Sequence, residues 1–152
     1  MSEVLMHFWD RHKTITRYYE LLTATVCEKY QLRRMEYDIL MFLYNSPQYN
    51  TAADIAKVRK STKSHVSTSL KVLEDRGLIV KKIDEENKKH IEIFISEAAD
   101  AIINDGIKMQ KRFARDMLDG LSEEETAVCK RAFEKICDNA EKLIEKEELH
   151  NE

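Results

Sequence analysis

The scarcity of helix-breaking residues is the feature that most restricts the fold of this chain. Its 152 residues include only three Gly and one Pro. All-β folds with many turns need frequent Gly and Pro, whereas long helices exclude both residues from their interiors. The chain is also 43% hydrophobic, which is enough to build a core in one domain of ordinary size. The sequence therefore predicts a mainly helical fold.

The spacing of apolar residues places these helices along the chain. A period near 3.6 residues predicts helices over residues 3–30, 34–45, 52–58, 61–76, 97–119 and 122–147. Pro47 ends the second helix, and Gly77 follows the fourth at the position that helix ends prefer. Thr51 with Asp54, and Ser122 with its following glutamates, are typical of capping boxes at helix starts.

The hydrophobic period changes once, in the middle of the chain. Residues 78–83 and 91–95 are short β-branched runs, and the second alternates with a period of two. The segment 84–90 between them is entirely polar and charged. We therefore expect a two-stranded hairpin with a charged tip, which makes the fold class mainly α with a small α+β wing.

Charge is segregated along the chain, although the formal net charge is only −3. Residues 57–90 hold 10 Lys and Arg against 5 Asp and Glu, whereas residues 116–152 hold 5 against 12. Residues 57–71 contain no acidic residue at all. A basic middle segment in an acidic chain indicates a polyanionic partner that the total charge conceals.

The order of the central elements is that of a helix-turn-helix followed by a wing. Helix 61–76 carries small hydroxyl residues, which let a helix approach base edges closely, and lysines, which neutralise phosphates. The candidate DNA-binding residues of this recognition helix are Lys60, Ser61, Thr62, Lys63, Ser64, His65, Ser67, Thr68 and Lys71. Those of the wing are Asn87, Lys88 and Lys89, since basic side chains are favoured in a minor groove.

These residues resemble a known family. The segments 54–56 and 62–79, with Leu-Glu-x-x-Gly-Leu-Ile at residues 73–79, are similar to the winged-helix core of the multiple-antibiotic-resistance regulator (MarR) family. The segment 93–99 is similar to the strand end and helix start that follow the family's wing. The resemblance implies a bacterial, cytoplasmic, homodimeric transcriptional regulator of double-stranded DNA, with a pseudo-palindromic operator.

Two positions depart from the family's pattern. Asn87, Lys88 and Lys89 stand where the family's wing has Asp-x-Arg, so a point charge replaces a planar guanidinium fork. Thr68 stands where many members carry a base-contacting Arg, so the bidentate contact to guanine is lost there. We therefore expect DNA binding with a different operator preference and weaker affinity.

The resemblance also implies that separate regions of the chain dimerise and bind DNA. Residues 1–30 and 97–152 form the helical dimerisation region, and residues 31–96 form the DNA-binding lobe. The resemblance further implies a repressor whose repression is relieved by a small aromatic or amphipathic effector. This effector would bind between the dimerisation region and the DNA-binding lobe. The candidate pocket residues are Trp9, Arg11, Tyr18, Tyr37 and Met41.

Three other functions are alternatives to this prediction. A winged-helix adaptor would contact proteins without specific DNA readout, and would bind DNA weakly and independently of salt. A thiol-based redox regulator would need a reactive Cys27, whose pKa the neighbouring Lys29 could lower. An enzyme is not expected, because no nucleophile elbow, glycine-rich phosphate loop or HExxH motif occurs. The histidine spacing favours no metal site, and no cofactor, signal peptide or membrane span is predicted.

Overall fold

The computed structural model describes the backbone of residues 2–150 and the side chains of residues 7 and 10–148. Its helices are α1 (Ser2–Tyr30), α2 (Arg34–Asn45), α3 (Ala52–Val58), α4 (Lys63–Asp75), α5 (Asp100–Met117) and α6 (Glu123–His150). Its strands are β1 (Ile79–Ile83) and β2 (Ile91–Ile95), and a 3₁₀ turn, Glu97–Ala99, precedes α5. The predicted fold class, mainly α with a small wing, is confirmed. The predicted helix 97–119 differs, because its first turn is 3₁₀ and α5 ends at Met117.

Hydrogen bonds at the helix ends explain these boundaries. The Thr51 hydroxyl accepts from the Asp54 amide at 3.2 Å, and the Asp54 carboxylate accepts from the Thr51 amide at 3.2 Å, which completes the predicted capping box of α3. Thr62 caps α4 by accepting from the His65 amide at 3.2 Å. Gly77 ends α4 with a φ of +68°, a conformation that residues with a β-carbon rarely adopt.

The predicted hairpin forms. Strands β1 and β2 pair antiparallel from Ile79 opposite Ile95 to Ile83 opposite Ile91. The Asn50 carbonyl accepts from the Ile93 amide at 2.8 Å, so the segment before α3 adds to the other edge of β2. This bond ties the base of the wing to the start of α3.

The core lies among α2, α3, α4 and the base of the wing, and it extends to the second half of α1 and to α5. The buried stripe of α4 consists of Val66, Ser69, Leu70 and Leu73. The other large side chains with no more than 1% exposure are Tyr37, Ile39, Leu40, Ile55 and Ile79. The opposite face of α4 is consequently left to solvent.

The chain divides into two compact units, Met1–Phe113 and Ala114–Glu152. The first contains α1 to α4, the wing and most of α5, and the second contains α6. Several large apolar side chains of α6 are exposed in the single chain, among them Val128, Phe133, Ile136, Leu143 and Ile144. Within the described residues, none of the helices combines the length and apolar character that a membrane span requires.

Candidate nucleic-acid interface

The exposed face of α4 carries the predicted recognition residues. Lys63, Ser64, His65, Ser67, Thr68 and Lys71 are all exposed, as is the capping residue Thr62. The Thr68 hydroxyl donates to the Ser64 carbonyl at 2.9 Å, so its proton is used inside the helix. Lys71 lies 3.2 Å from Asp75, and both side chains are more than half exposed. Such an exposed pair is weak, which leaves the ammonium able to exchange Asp75 for a phosphate.

The turn between α3 and α4 contains Lys60, which is exposed, and Ser61, which is half-buried. Lys60 has a φ of +47°, and the Ser61 amide donates to the Ala56 carbonyl at 3.0 Å, as at a helix end closed by a left-handed residue. Arg59, just before this turn, forms an ion pair with Asp38 of α2, and Asp38 also accepts from Arg34 at 2.9 Å. Asp38 thus holds the turn, and with it the start of α4, against α2.

The wing tip is shaped by its own polar side chains. The Asp84 carboxylate accepts from the amides of Glu86 and Asn87 at 2.9 and 3.3 Å. Asn87 accepts from the Lys89 amide at 3.2 Å, so it shapes the turn in addition to being exposed. Lys88 and Lys89 are both exposed at this tip.

A groove of about 370 Å³ lies between the recognition helix and the wing. Lys63 and Ser67 of α4 form one side, and Lys89, His90 and Ile91 of the wing form the other. Residues 51–53, at the start of α3, complete the lining. The structure therefore brings Lys63 and Ser67 of the predicted helix set and Lys89 of the predicted wing set to one depression.

Sequence reasoning missed two polar residues of this groove. The sequence predicts Thr51 only as a helix cap, and it places His90 in the loop between the strands. Neither residue lies on the exposed face of α4, from which the recognition set was chosen. The Asn50–Ile93 backbone bond, which brings residue 51 beside the wing, has no signature in the sequence.

The predicted effector residues occupy different environments. Tyr37 and Met41 are 0% and 4% exposed in the core, whereas the Arg11 side chain on α1 is exposed. Tyr18 is half-buried and stacks on Phe113 with ring centroids 6.0 Å apart. The side chain of Trp9 lies outside the described residues. The shared effector pocket stays a prediction.

The environment of Cys27 contradicts the premise of a lowered thiol pKa. Burial raises the pKa of this half-buried thiol, and the nearby Arg34 only partly opposes that effect. The Lys29 ammonium, expected to lower it, instead binds the Asp105 carboxylate at 2.6 Å. A raised pKa disfavours the reactive thiolate that a peroxide sensor needs. Among the described residues, no group of three or more His, Cys, Asp or Glu is arranged to hold a metal ion.

Comparison with known proteins points to one family. Residues 30–90, from the end of α1 through the wing, match the MarR family model. A MarR family protein from Bacillus stearothermophilus has a TM-score of 0.78 at 17% identity over 92% of this chain and 97% of that chain. The S. aureus MepR–DNA complex has a TM-score of 0.59 at 22% identity over 84% and 96%. S. aureus MepR bound to ethidium bromide has a TM-score of 0.58 at 22% identity over 85% and 93%.

The family resemblance inferred from the sequence is therefore confirmed for the winged helix, and the structural likenesses extend the shared fold over most of the chain. None of the curated protein sequences matches the chain significantly.

Proposed function

We propose that this chain, whose residues 30–90 are those of a MarR-family winged helix, is a homodimeric transcriptional regulator that binds specific duplex DNA. The observation that carries the proposal is the groove between α4 and the wing, whose two sides present Lys63, Ser67 and Lys89. Hydroxyl and lysine side chains on one exposed surface match a ligand with base edges next to phosphates. The S. aureus MepR–DNA complex, which has the same fold, supports this proposal.

The chemistry of DNA binding divides among these residues. Ser64 and Ser67 are short, so α4 can enter a major groove closely enough for their hydroxyls to contact base edges. Lys60, Lys63 and Lys71 surround them and bind the phosphates on either side. Lys88 and Lys89 extend from the wing to the adjacent minor groove, where they supply point charges.

The second unit supplies the proposed dimer contact. Phe133 and Leu143 of α6 are 67% and 62% exposed in the single chain, although both are large and apolar. A stripe of such residues on one helix is typical of a face covered by another helix. A second copy of the chain is the occupant that a two-half-site operator requires.

Repression and its relief by a small aromatic or amphipathic effector are further parts of the proposal. The MepR complex with ethidium bromide supports an effector of cationic aromatic type. Such a ligand acts only if it binds one arrangement of the two lobes more tightly than the other.

Selection of genomic fragments by the purified full chain tests the proposed function. The wild-type protein should enrich a small set of fragments that share an inverted repeat. Ser67→Glu places a carboxylate in the groove and should abolish this enrichment. Asn104→Glu adds the same charge on the exposed side of α5 and should leave it intact. Equal recovery of all fragments by the wild type would contradict sequence-specific binding.

A further inference from the structure

We propose that Arg76 is a positioning residue that fixes the recognition helix to the carboxyl end of α1, and so sets the spacing of the two DNA-binding lobes. This inference rests on the proposed function, since it concerns how a dimer meets two half-sites. Arg76 follows the last residue of α4 and precedes the left-handed Gly77. It lies outside the groove that binds DNA in the proposal above.

The Arg76 guanidinium binds two backbone carbonyls at the end of α1. One terminal nitrogen donates to the Gln31 carbonyl at 3.0 Å, and the other donates to the Tyr30 carbonyl at 2.8 Å. The last carbonyls of a helix have no partner inside it and carry partial negative charge. A planar fork of two donors therefore stabilises this helix end and also fixes its orientation relative to α4.

The same helix end is bound to α5 on its other side. The Tyr30 hydroxyl lies 2.8 Å from the Asp105 carboxylate and 3.1 Å from the Ala101 carbonyl, and Lys29 donates to Asp105 at 2.6 Å. Tyr30 thus contacts α4 through its backbone and α5 through its side chain. The end of α1 is a junction through which a movement of α5 or α1 reaches the recognition helix.

The opposite end of α4 has a separate attachment. The ion pair between Arg59 and Asp38 holds the turn before α4 against α2, inside the same lobe. Arg76 instead joins α4 to the end of α1, a helix of the region that we assign to dimerisation. Half-sites lie about 34–36 Å apart, one helical turn of DNA, so a small rotation of each lobe misplaces the second recognition helix. Loss of Arg76 should reduce binding to two half-sites and spare binding to phosphates in general.

The test compares Arg76→Ala and Arg76→Lys with Lys111→Ala, which removes one exposed positive charge from α5. Binding is measured to a duplex with both half-sites, to a single half-site, and to a scrambled duplex. Arg76→Ala should weaken binding to the complete duplex roughly tenfold more than Lys111→Ala does, with similar binding of both variants to the scrambled duplex. Arg76→Lys should recover only part of this loss, because one ammonium cannot hold both carbonyls in a fixed plane.

Hydrogen exchange in the free proteins measures the attachment without DNA. Amides at the end of α1 and the end of α4 should exchange faster in both Arg76 variants than in Lys111→Ala. Full recovery by Arg76→Lys, or an equal loss on the scrambled duplex, would overturn the inference and make Arg76 a phosphate contact. Unchanged exchange would overturn it as well. A wild-type protein without preference for any duplex would instead contradict the proposed function, and exchange would still decide whether Arg76 joins the helices.

Discussion

At the scale of single residues, Gly106 allows α5 to approach α2 closely. A β-carbon at this position would lie 3.2 Å from the Tyr37 hydroxyl and would also meet the Met41 side chain. Both neighbours are buried, so neither has free space beside it. Among the described residues, the Tyr37 hydroxyl at this contact is buried without a hydrogen-bond partner.

Tyr37→Phe should therefore leave the free energy of unfolding unchanged or raise it by up to about 2 kcal/mol. The substitution removes a buried hydroxyl whose desolvation is not compensated by a hydrogen bond from any residue that the structure describes. Tyr30→Phe is the matched control, because its hydroxyl does bond to Asp105 and Ala101, and it should lower stability by about 1 kcal/mol. Urea denaturation measures both values. A loss above 1 kcal/mol in Tyr37→Phe would show that this hydroxyl has a partner.

Asp105 makes the stability of the first unit sensitive to acid. Hydrogen bonds from Lys29 and Tyr30 lower the pKa of its carboxyl from 3.8 to about 2. The folded state thus binds this proton more weakly than the unfolded state. The stabilisation is fully present above the ordinary pKa and is lost as pH falls through the folded value.

Asp105→Asn should consequently flatten the decline of unfolding free energy between pH 4 and pH 2. Denaturant titrations at several pH values measure this slope. Asp119→Asn, which removes an exposed carboxylate, serves as the control and should keep the wild-type slope. If the two variants decline in parallel with the wild type, Asp105 is not a source of the acid sensitivity.

The exposed polar residues could be predicted where their position depends on the spacing within a single helix. The hydroxyl and lysine face of α4 followed from a 3.6-residue period and the buried stripe of Val66, Leu70 and Leu73. The role of Arg76 was not predictable, because its partners are backbone carbonyls about 45 residues earlier in the chain. Carbonyls carry no sequence identity, so no pattern of residue types could indicate that contact.

At the scale of elements, the two parts of the proposed binding surface, α4 and the wing, are fixed differently. The base of the wing is held by the Asn50–Ile93 backbone bond and by Lys81, which lies 2.7 Å from Glu74 of α4. At the tip, the described side-chain hydrogen bonds of Asp84 and Asn87 all run to backbone amides of the same turn. The tip can thus adapt to a DNA backbone while its base stays in place.

Replacing Lys88 and Lys89 by Ala should weaken binding to every duplex and reduce its salt dependence. Each phosphate contact that is lost lowers the log–log salt slope by about 0.9. Fluorescence anisotropy at several salt concentrations gives both quantities. Lys135→Ala with Lys142→Ala removes two exposed lysines of α6 and is the control, with no expected change in slope. Binding and slope equal to wild type in the wing variant would remove the wing from the interface.

The hairpin was predicted with its correct strands because the hydrophobic period changes there from 3.6 to 2. The start of α5 was not, since the 3₁₀ turn Glu97–Ala99 has the same apolar spacing as an α-helix over so few residues. The sequence could also not place residue 51 beside the wing. That proximity depends on the backbone hydrogen bond between Asn50 and Ile93, which lie about 43 residues apart in the chain.

At the scale of the whole molecule, α6 should be the element that joins two chains. Phe133→Glu with Leu143→Glu places charges on its exposed apolar face and should convert the dimer to a folded monomer. Lys135→Glu with Lys142→Glu changes the net charge more, but lies on the other side of the helix by the 3.6-residue period and should preserve the dimer. Light scattering gives the mass, and circular dichroism verifies helicity. A dimer that survives the first pair of substitutions would exclude α6 as the contact.

The set of helices and the hairpin could be predicted from the sequence. The few Gly and Pro residues favour long helices, and the single change in hydrophobic period marks the hairpin. The division of the chain into the units Met1–Phe113 and Ala114–Glu152 could not be predicted. Contacts group α1 and most of α5 with the winged helix, whereas the functional division at residues 30 and 97 is a prediction about a second chain. A single sequence contains the apolar stripe of α6, but not the surface that covers it.

The salt dependence of binding to a genome-selected duplex tests the central claim most directly, namely that the basic surface of α4 and the wing binds DNA. Lys60, Lys63, Lys71, Lys88 and Lys89 supply the cations. If about half or more of these lysines contact phosphates in each half of a dimer, a plot of log Kd against log salt concentration should have a slope of roughly 4 to 9. A slope near zero, with the same Kd for selected and scrambled duplexes, would contradict the account.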